Sequence, residues 1–416
     1  MAPMVEPGEG RRARRRVDGW PGAPAARLLP WLALALVGWG GLAVLAGRMV
    51  ATFPPTAGFD LELLLGAGRR VAAGLSPYAA SMLGGRPPSA EDLFYSYPPP
   101  VAQAMSPIAG ISLAAALLGL AVVSVGGLGI VTGLAARRIE PDRPAASAVL
   151  PVVAVAPFVF PFAVALLFGN LDATFPLLYG LIALGALSGG RGSTIAGGAA
   201  LAIAAVKLYP ASLGIWFVAR GFRERDGSGR LVGVAVAIWL AIAAASILAG
   251  GPGPWRDYLD AVRSGASAEL VDPRNIGPAA QLAALLSGGE NLARAVQVGV
   301  SIGAVILIAA AALWLRDPLQ SVTLAATASL VMLPVTWFHY PAALLPFAVM
   351  AWLRVRADGR PGSVGLPLAA AAIVSAGSIV FPVGLWVAVA AVLLAVHRSR
   401  ARDRDPRAQP GPTPSP

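Results

Sequence analysis

Apolar residues run through this chain in blocks, not in the scattered stripes of a soluble helical protein. Long blocks occupy 28–50, 111–136, 147–168, 230–249 and 291–315. Each reaches the roughly 20 residues a helix needs to cross about 30 Å of hydrocarbon. Shorter blocks lie at 173–187, 194–206, 208–219, 319–336, 341–353, 363–379 and 381–396. If the two halves of 194–219 form a hairpin, the pattern predicts an all-α, polytopic membrane protein of about 12 spanning segments. Both termini then share one side.

Composition agrees with the pattern. Of 416 residues, 56% are hydrophobic and only 13% are charged, against roughly 25% charged in a soluble domain. An ordinary soluble enzyme is excluded. With no cysteine, disulfides, thiolate metal sites and cysteine nucleophiles are excluded as well. The net charge of +11 raises nucleic acid as a partner, so the position of the charges decides. Sorted by the expected topology, the inner segments hold 23 Arg and 11 acids, and the rest holds 8 Arg, Lys207 and 10 acids. The inside is +12 and the outside −1, as the positive-inside rule asks. The arginines of the tails 1–27 and 397–416 therefore orient the chain, and no nucleic-acid partner is expected. The first apolar run is too long for a signal peptide and lacks a small-residue cleavage site. The expected division is a cytoplasmic Arg-rich tail (1–27), a transmembrane domain (28–396) and a disordered Arg/Pro-rich cytoplasmic tail (397–416).

The outer polar residues collect in few places. The loop of about 51–110 opens with FDLELLLGAGRRVAA at 59–73, whose Leu61, Leu64, Leu65, Gly68, Val71 and Ala72 fall at helical spacing. That predicts a helix lying in the interface. Asp60 sits at its start, either as an N-cap or as a functional carboxylate. Tyr97–Ala109 follows as a second interfacial segment too short to span. The loop of about 250–290 brings Trp255, Arg274 and Asn275, and two short turns bring Asn170 with Asp172 and Trp337 with Phe338, His339 and Tyr340. Aromatic-belt placement is the alternative for Tyr97, Trp255, Trp337 and His339.

Lys207 is the chain's single lysine. It sits between two apolar halves of about a dozen residues, each about 20 Å as a helix. A cation there costs about 2.5–3.5 kcal/mol at mid-bilayer, so an anion should offset it. Three readings stay open: a lysine snorkelling to the interface, a ligand for a lipid phosphate, or a partner for Asp60 or Asp172.

These residues resemble the polytopic GT-C glycosyltransferases. More closely they resemble glycosyltransferase family 87, the polyprenol-phosphate-mannose-dependent α-mannosyltransferases of actinobacteria. The resemblance runs over about 58–350. It is carried by Asp60-Leu61 with Gly74-Leu75-Ser76-Pro77-Tyr78, by Tyr97-Pro98-Pro99, by Gly169-Asn170-Leu171-Asp172 in place of G-Q-x-N, by Lys207-Leu208-Tyr209-Pro210 as L-K-x-x-P, and by Pro334 to Tyr340 as S-P-x-x-W-x-H-H. Leu64, Asp172 and Tyr340 depart from that pattern.

The resemblance implies an inverting transfer of a sugar, mannose in that family, from a polyprenyl-phosphate donor to a glycolipid or cell-envelope glycan. The site would lie on the outer face of the plasma membrane. It implies Asp60 as general base and Lys207 beside the donor phosphate, with His339 available to the phosphate or sugar. Asn170, Asp172, Tyr97, Arg274, Asn275 and Trp337 are further cavity candidates. Such a transfer needs one carboxylate to take the acceptor proton and a cation to hold the leaving phosphate. Asp172 is the alternative base; Glu62 is disfavoured because it points about 200° from Asp60 on a helix. No cofactor and no metal are expected, since no carboxylate cluster has ligand spacing. The alternative class is a lipid-linked sugar flippase or secondary transporter, for which broken helices and a buried charge are also apt.

Overall fold

The computed structural model describes residues 24–52, 56–83, 95–224 and 228–358. The tail 397–416, most of the tail 1–27 and the blocks 363–379 and 381–396 lie outside the described residues.

The described chain is helical, with α1 (Pro24–Thr52), α2 (Phe59–Ala72), α3 (Pro99–Met105), α4 (Leu113–Ile139), α5 (Ala146–Val155), α6 (Phe160–Phe168), α7 (Phe175–Ser188) and α8 (Arg191–Ala204). Then come α9 (Leu213–Glu224), α10 (Ser228–Gly250), α11 (Gly253–Glu269), α12 (Pro278–Leu285), α13 (Glu290–Trp314), α14 (Pro318–Leu330) and α15 (Leu345–Asp358). Among the described residues, five helical stretches are long and apolar enough to cross a membrane: Leu28–Thr52, Leu113–Ile139, Leu171–Ser188, Ser228–Gly250 and Glu290–Trp314. The bent pair Ala146–Phe158 and Phe160–Phe168, angled by 70°, makes a sixth if taken as one span.

The expected count of about twelve is not reached among these residues. The blocks 194–206, 208–219, 319–336 and 341–353 form α8, α9, α14 and α15, each of only 12 to 14 residues. At 1.5 Å per residue each is shorter than the hydrocarbon is thick. Their position explains why short helices are tolerated. Leu29, Leu36, Val37, Leu240, Leu248, Ile302 and Ile306 on the long helices α1, α10 and α13 are exposed. By contrast, Leu319 and every residue from Ser321 to Leu330 of α14 are buried. Broken helices leave backbone groups unpaired, which lipid cannot satisfy, so the breaks sit inside a jacket of continuous ones.

The two ends of this bundle differ. At one end, arginines satisfy the carbonyls left open where helices stop. Arg220 donates to Leu315 O at 3.1 Å and Arg316 O at 3.2 Å, just past α13. Arg223 donates to Ala312 O and Leu315 O, both at 3.2 Å, and Arg138 to Leu187 O in α7 at 3.3 Å. Arg354 pairs with Asp317, and Arg356 reaches Glu140 at 3.3 Å. The first turns of α8 and α10 and Phe217 of α9 line one cavity at this end, so α8 and α9 run out and back. The breaks lie at the opposite end.

Candidate active site

Three chain breaks meet at that opposite end. Between α6 and α7 the chain passes through Gly169 and a tight turn, Leu171–Thr174. Gly169 has φ of 69°, and a Cβ there would stand 2.5 Å from Leu61 Cβ, so both conformation and space demand glycine. Between α8 and α9 the break holds Lys207 and Tyr209, separated by Leu208 at φ 64° and ψ −50°. A branched residue with positive φ is strained, and such strain gathers at functional sites. Between α14 and α15 the break carries Trp337 to Tyr340, leading into the turn Tyr340–Leu344.

Helix α2 delivers Asp60 to this junction. Its buried face is Leu61, Leu64, Leu65, Ala67 and Gly68. The spacing anticipates four of these, whereas Val71 is half-buried and Ala72, expected on the same face, is exposed. A Cβ on Gly68 would meet the Met105 backbone carbon at 2.9 Å, so α2 and α3 touch nearly backbone to backbone. Gly58 caps α2 with φ of 69°, and its amide donates to Leu167 O at 2.8 Å. That bond ties the start of α2 to the last turn of α6. Asp60 is therefore not the N-cap. Its carboxylate is half-buried and accepts from Asn170 Nδ2 at 2.8 Å.

Asn170 Oδ1 accepts from Lys207 Nζ at 2.9 Å, and Lys207 also donates to Asp172 Oδ2 at 3.0 Å. Lys207 and Asp172 side chains are 6% and 0% exposed, so the lysine does not snorkel. It lies 4.8 Å from the Tyr340 ring centroid and 5.4 Å from that of Tyr97, distances that suit a cation over an aromatic face. Tyr209 OH is 3.4 Å from Asp172 Oδ1, and its ring stacks on Tyr340 at 5.0 Å. His339 is buried with Nε2 3.2 Å from Asp172 Oδ2, yet neither ring nitrogen has a hydrogen-bond partner among the described residues. Burial first, and the Lys207 charge second, push its pKa well down, so the imidazole is neutral. A buried polar group without a protein partner is suited to a substrate oxygen.

The remaining candidates divide. Tyr97 belongs to the cluster; its carbonyl accepts from Tyr78 OH at 2.6 Å, which gives the 74–78 segment a supporting role. Ser76 in turn donates to Asp257 Oδ2 at 2.6 Å and joins the two long loops. Asn275 is fully buried and spends its amide on the backbone. It donates to Glu269 O, Leu270 O and Pro334 O and accepts from Gly277 N and Thr336 N. It is a strut between the 269–277 segment and the 334–336 segment. Arg274 pairs with Asp272 at 2.7 Å and lies 5.7 Å from the Trp337 ring centroid, at the edge of the cluster. Glu62 is exposed and pairs with Arg69, away from Asp60.

Sequence reasoning missed Glu269 and Tyr209. Glu269, in the last turn of α11, has its pKa pushed up to about 7, chiefly by burial and then by Asp272, with Asp60 adding to the rise and Arg274 and Lys207 opposing it. Nothing in its local sequence marks it. Tyr209 had one signal, its place two residues after the lysine.

The comparisons follow this geometry. A family model described as glycosyltransferase family 87 matches residues 95–336. Comparison with curated proteins and with solved structures gives no match. The matched segment holds Tyr97, Asn170, Asp172, Lys207, Glu269, Arg274 and Asn275, and the fold brings Asp60 and His339 to it from either side. With more than half of its length matched, the chain belongs to glycosyltransferase family 87 and is a multi-pass membrane glycosyltransferase.

Proposed function

We propose that the protein moves a sugar, mannose by its resemblance, from a polyprenyl-phosphate donor to a glycolipid or cell-envelope glycan. The positive-inside rule supports a cytoplasmic arginine end, and with it a polar cluster at the outer face of the plasma membrane. The observation that carries the reading is the contrast between two carboxylates. Asp172 is sealed and neutralised by Lys207, whereas Asp60 stays half-buried with its Oδ2 held by an amide.

Asp60 takes the proton from the acceptor hydroxyl as that oxygen bonds to the anomeric carbon. The bond from that carbon to the phosphate oxygen breaks on the opposite face, and its electron pair leaves with the phosphate, so configuration inverts. Phosphate is already a good leaving group and needs only charge stabilisation. Neutral His339 supplies one N–H to it. Lys207 has one N–H left after Asn170 and Asp172, and its charge lies beneath the same floor. The proton on Asp60 returns to solvent after glycan release.

The test is Asp60→Asn in the purified full-length chain, with radiolabelled polyprenyl-phosphate mannose and membrane glycolipid acceptors. Transfer should fall at least about a thousandfold while elution on size exclusion stays unchanged. Near-normal transfer by this variant would sink the assignment.

A further inference from the structure

Asn170 stands between two groups that the transfer uses separately. Its Nδ2 donates to Asp60 Oδ2 at 2.8 Å, while its Oδ1 accepts from Lys207 Nζ at 2.9 Å and from the Asp172 amide at 2.9 Å. Asn170 is 4% exposed, so both ends of the amide are committed inside the protein. Its partners also fix which way the amide points. Turned over, it would set an N–H₂ against an ammonium and a backbone N–H, and a carbonyl against a carboxylate. Its backbone is held as well, the amide donating to Ala165 O at 2.8 Å directly after left-handed Gly169.

We propose that Asn170 is a positioning residue for the transfer: it holds the Asp60 carboxylate ionised and in one rotamer, and it couples that carboxylate to the Lys207–Asp172 pair. This rests on Asp60 being the base. The physical need is clear from its surroundings. Burial raises the Asp60 pKa, the Asn170 N–H and then the Lys207 charge oppose that rise, and Asp172 adds to it. Glu269 and Tyr97 also feel Asp60. On α2 itself Glu62 and Arg69 pair with each other. Arg70 donates to Ser76 O and Tyr78 O, and Tyr78, Tyr95 and Tyr258, packed in one apolar cluster with α2, are kept neutral by burial. α3, the turn 106–108 and α6 carry no titratable side chain, and the basic residues Arg137 and Arg138 of α4 lie in its far last turn. The Asn170 N–H is thus the direct contact that keeps a half-buried carboxylate ready to accept a proton.

The experiment reads protonation and turnover separately in the full-length protein. A hydrophobic carbodiimide labels carboxyl groups only when they are protonated, and mass spectrometry of the Asp60 peptide gives the labelling midpoint against pH. In Asn170→Ala that midpoint should rise by about one pH unit, the order expected for one hydrogen bond to a charged group. Asn170→Asp keeps an acceptor for Lys207 and for the Asp172 amide but loses the N–H, so it guards against misfolding of the alanine variant. Its midpoint should rise too. With polyprenyl-phosphate mannose as donor, kcat of Asn170→Ala should fall by up to about tenfold on the acid side of the parent's labelling midpoint and recover to within about twofold well above the variant's own midpoint, with donor KM nearly constant. A uniform loss of kcat at every pH with an unmoved labelling midpoint would make Asn170 a structural residue only. Full transfer by Asp60→Ala would instead overturn the base assignment itself, so the two failures are distinguishable.

Discussion

The two ends of the bundle handle charge in opposite ways. At the arginine end, Arg138, Arg220 and Arg223 donate to backbone carbonyls where helices stop. Each cation there completes a helix, and Arg354 and Arg356 pair with acids beside it. At the other end one lysine is sealed between an aspartate, an asparagine and two tyrosine rings, with a histidine and a second aspartate adjacent. The first arrangement finishes the fold. The second accepts a large desolvation cost to keep groups in fixed places, which is the usual mark of a site.

The sharpest way to break this comparison is to unpair the buried end. Lys207→Met leaves buried Asp172 without its cation and should lower stability by about 3–5 kcal/mol, read by thermal unfolding in detergent. Adding Asp172→Leu should restore most of that stability without restoring transfer. If the double variant is active, the pair is only a strut. Next in size, Arg220→Met removes two charge-assisted bonds to carbonyls and should cost about 1.5–3 kcal/mol. Transfer per folded molecule should be unchanged; a selective loss of kcat would erase the contrast between the ends.

A smaller effect comes from Glu269. Its folded pKa of about 7 lies above the ordinary 4.5, so the folded state holds a proton that the unfolded chain has released. Stability from this group is full below about pH 4.5 and is lost as pH rises through 7. Glu269→Gln should therefore gain on the parent protein between pH 5 and 8, by about 1 kcal/mol after allowance for its partial exposure. Melting temperatures that track each other across this range would refute it. Smallest of all, Glu62→Gln breaks an exposed pair with Arg69 and should change stability by under about 0.5 kcal/mol, leaving transfer intact. A large loss of transfer would return Glu62 to the list of candidate bases.

Much of the helical layout was legible beforehand. Most of the α2 face came from spacing, and four of the five long apolar blocks became continuous helices, while 147–168 bent by 70° into α5 and α6. The short blocks misled the count, because a run of a dozen apolar residues reads alike whether it crosses lipid or is buried in protein. Asp60 likewise read equally well as a cap. Only Gly58, whose left-handed backbone takes the capping position, separates the two.

An all-helical membrane protein, the grouping of its arginines, and the residues Asp60, Lys207 and His339 that interrupt apolar runs can all be read from the residue pattern. Those are local properties of length, period and charge. That Asn170 grips Asp60 across 110 residues of chain, that Lys207 pairs with Asp172, and that Glu269 comes within electrostatic reach of Asp60 and Lys207 follows from the packing of the whole fold. The reason is that each contact joins separate elements. Such contacts depend on how breaks in buried helices are brought together, and periodicity within one helix carries no record of that.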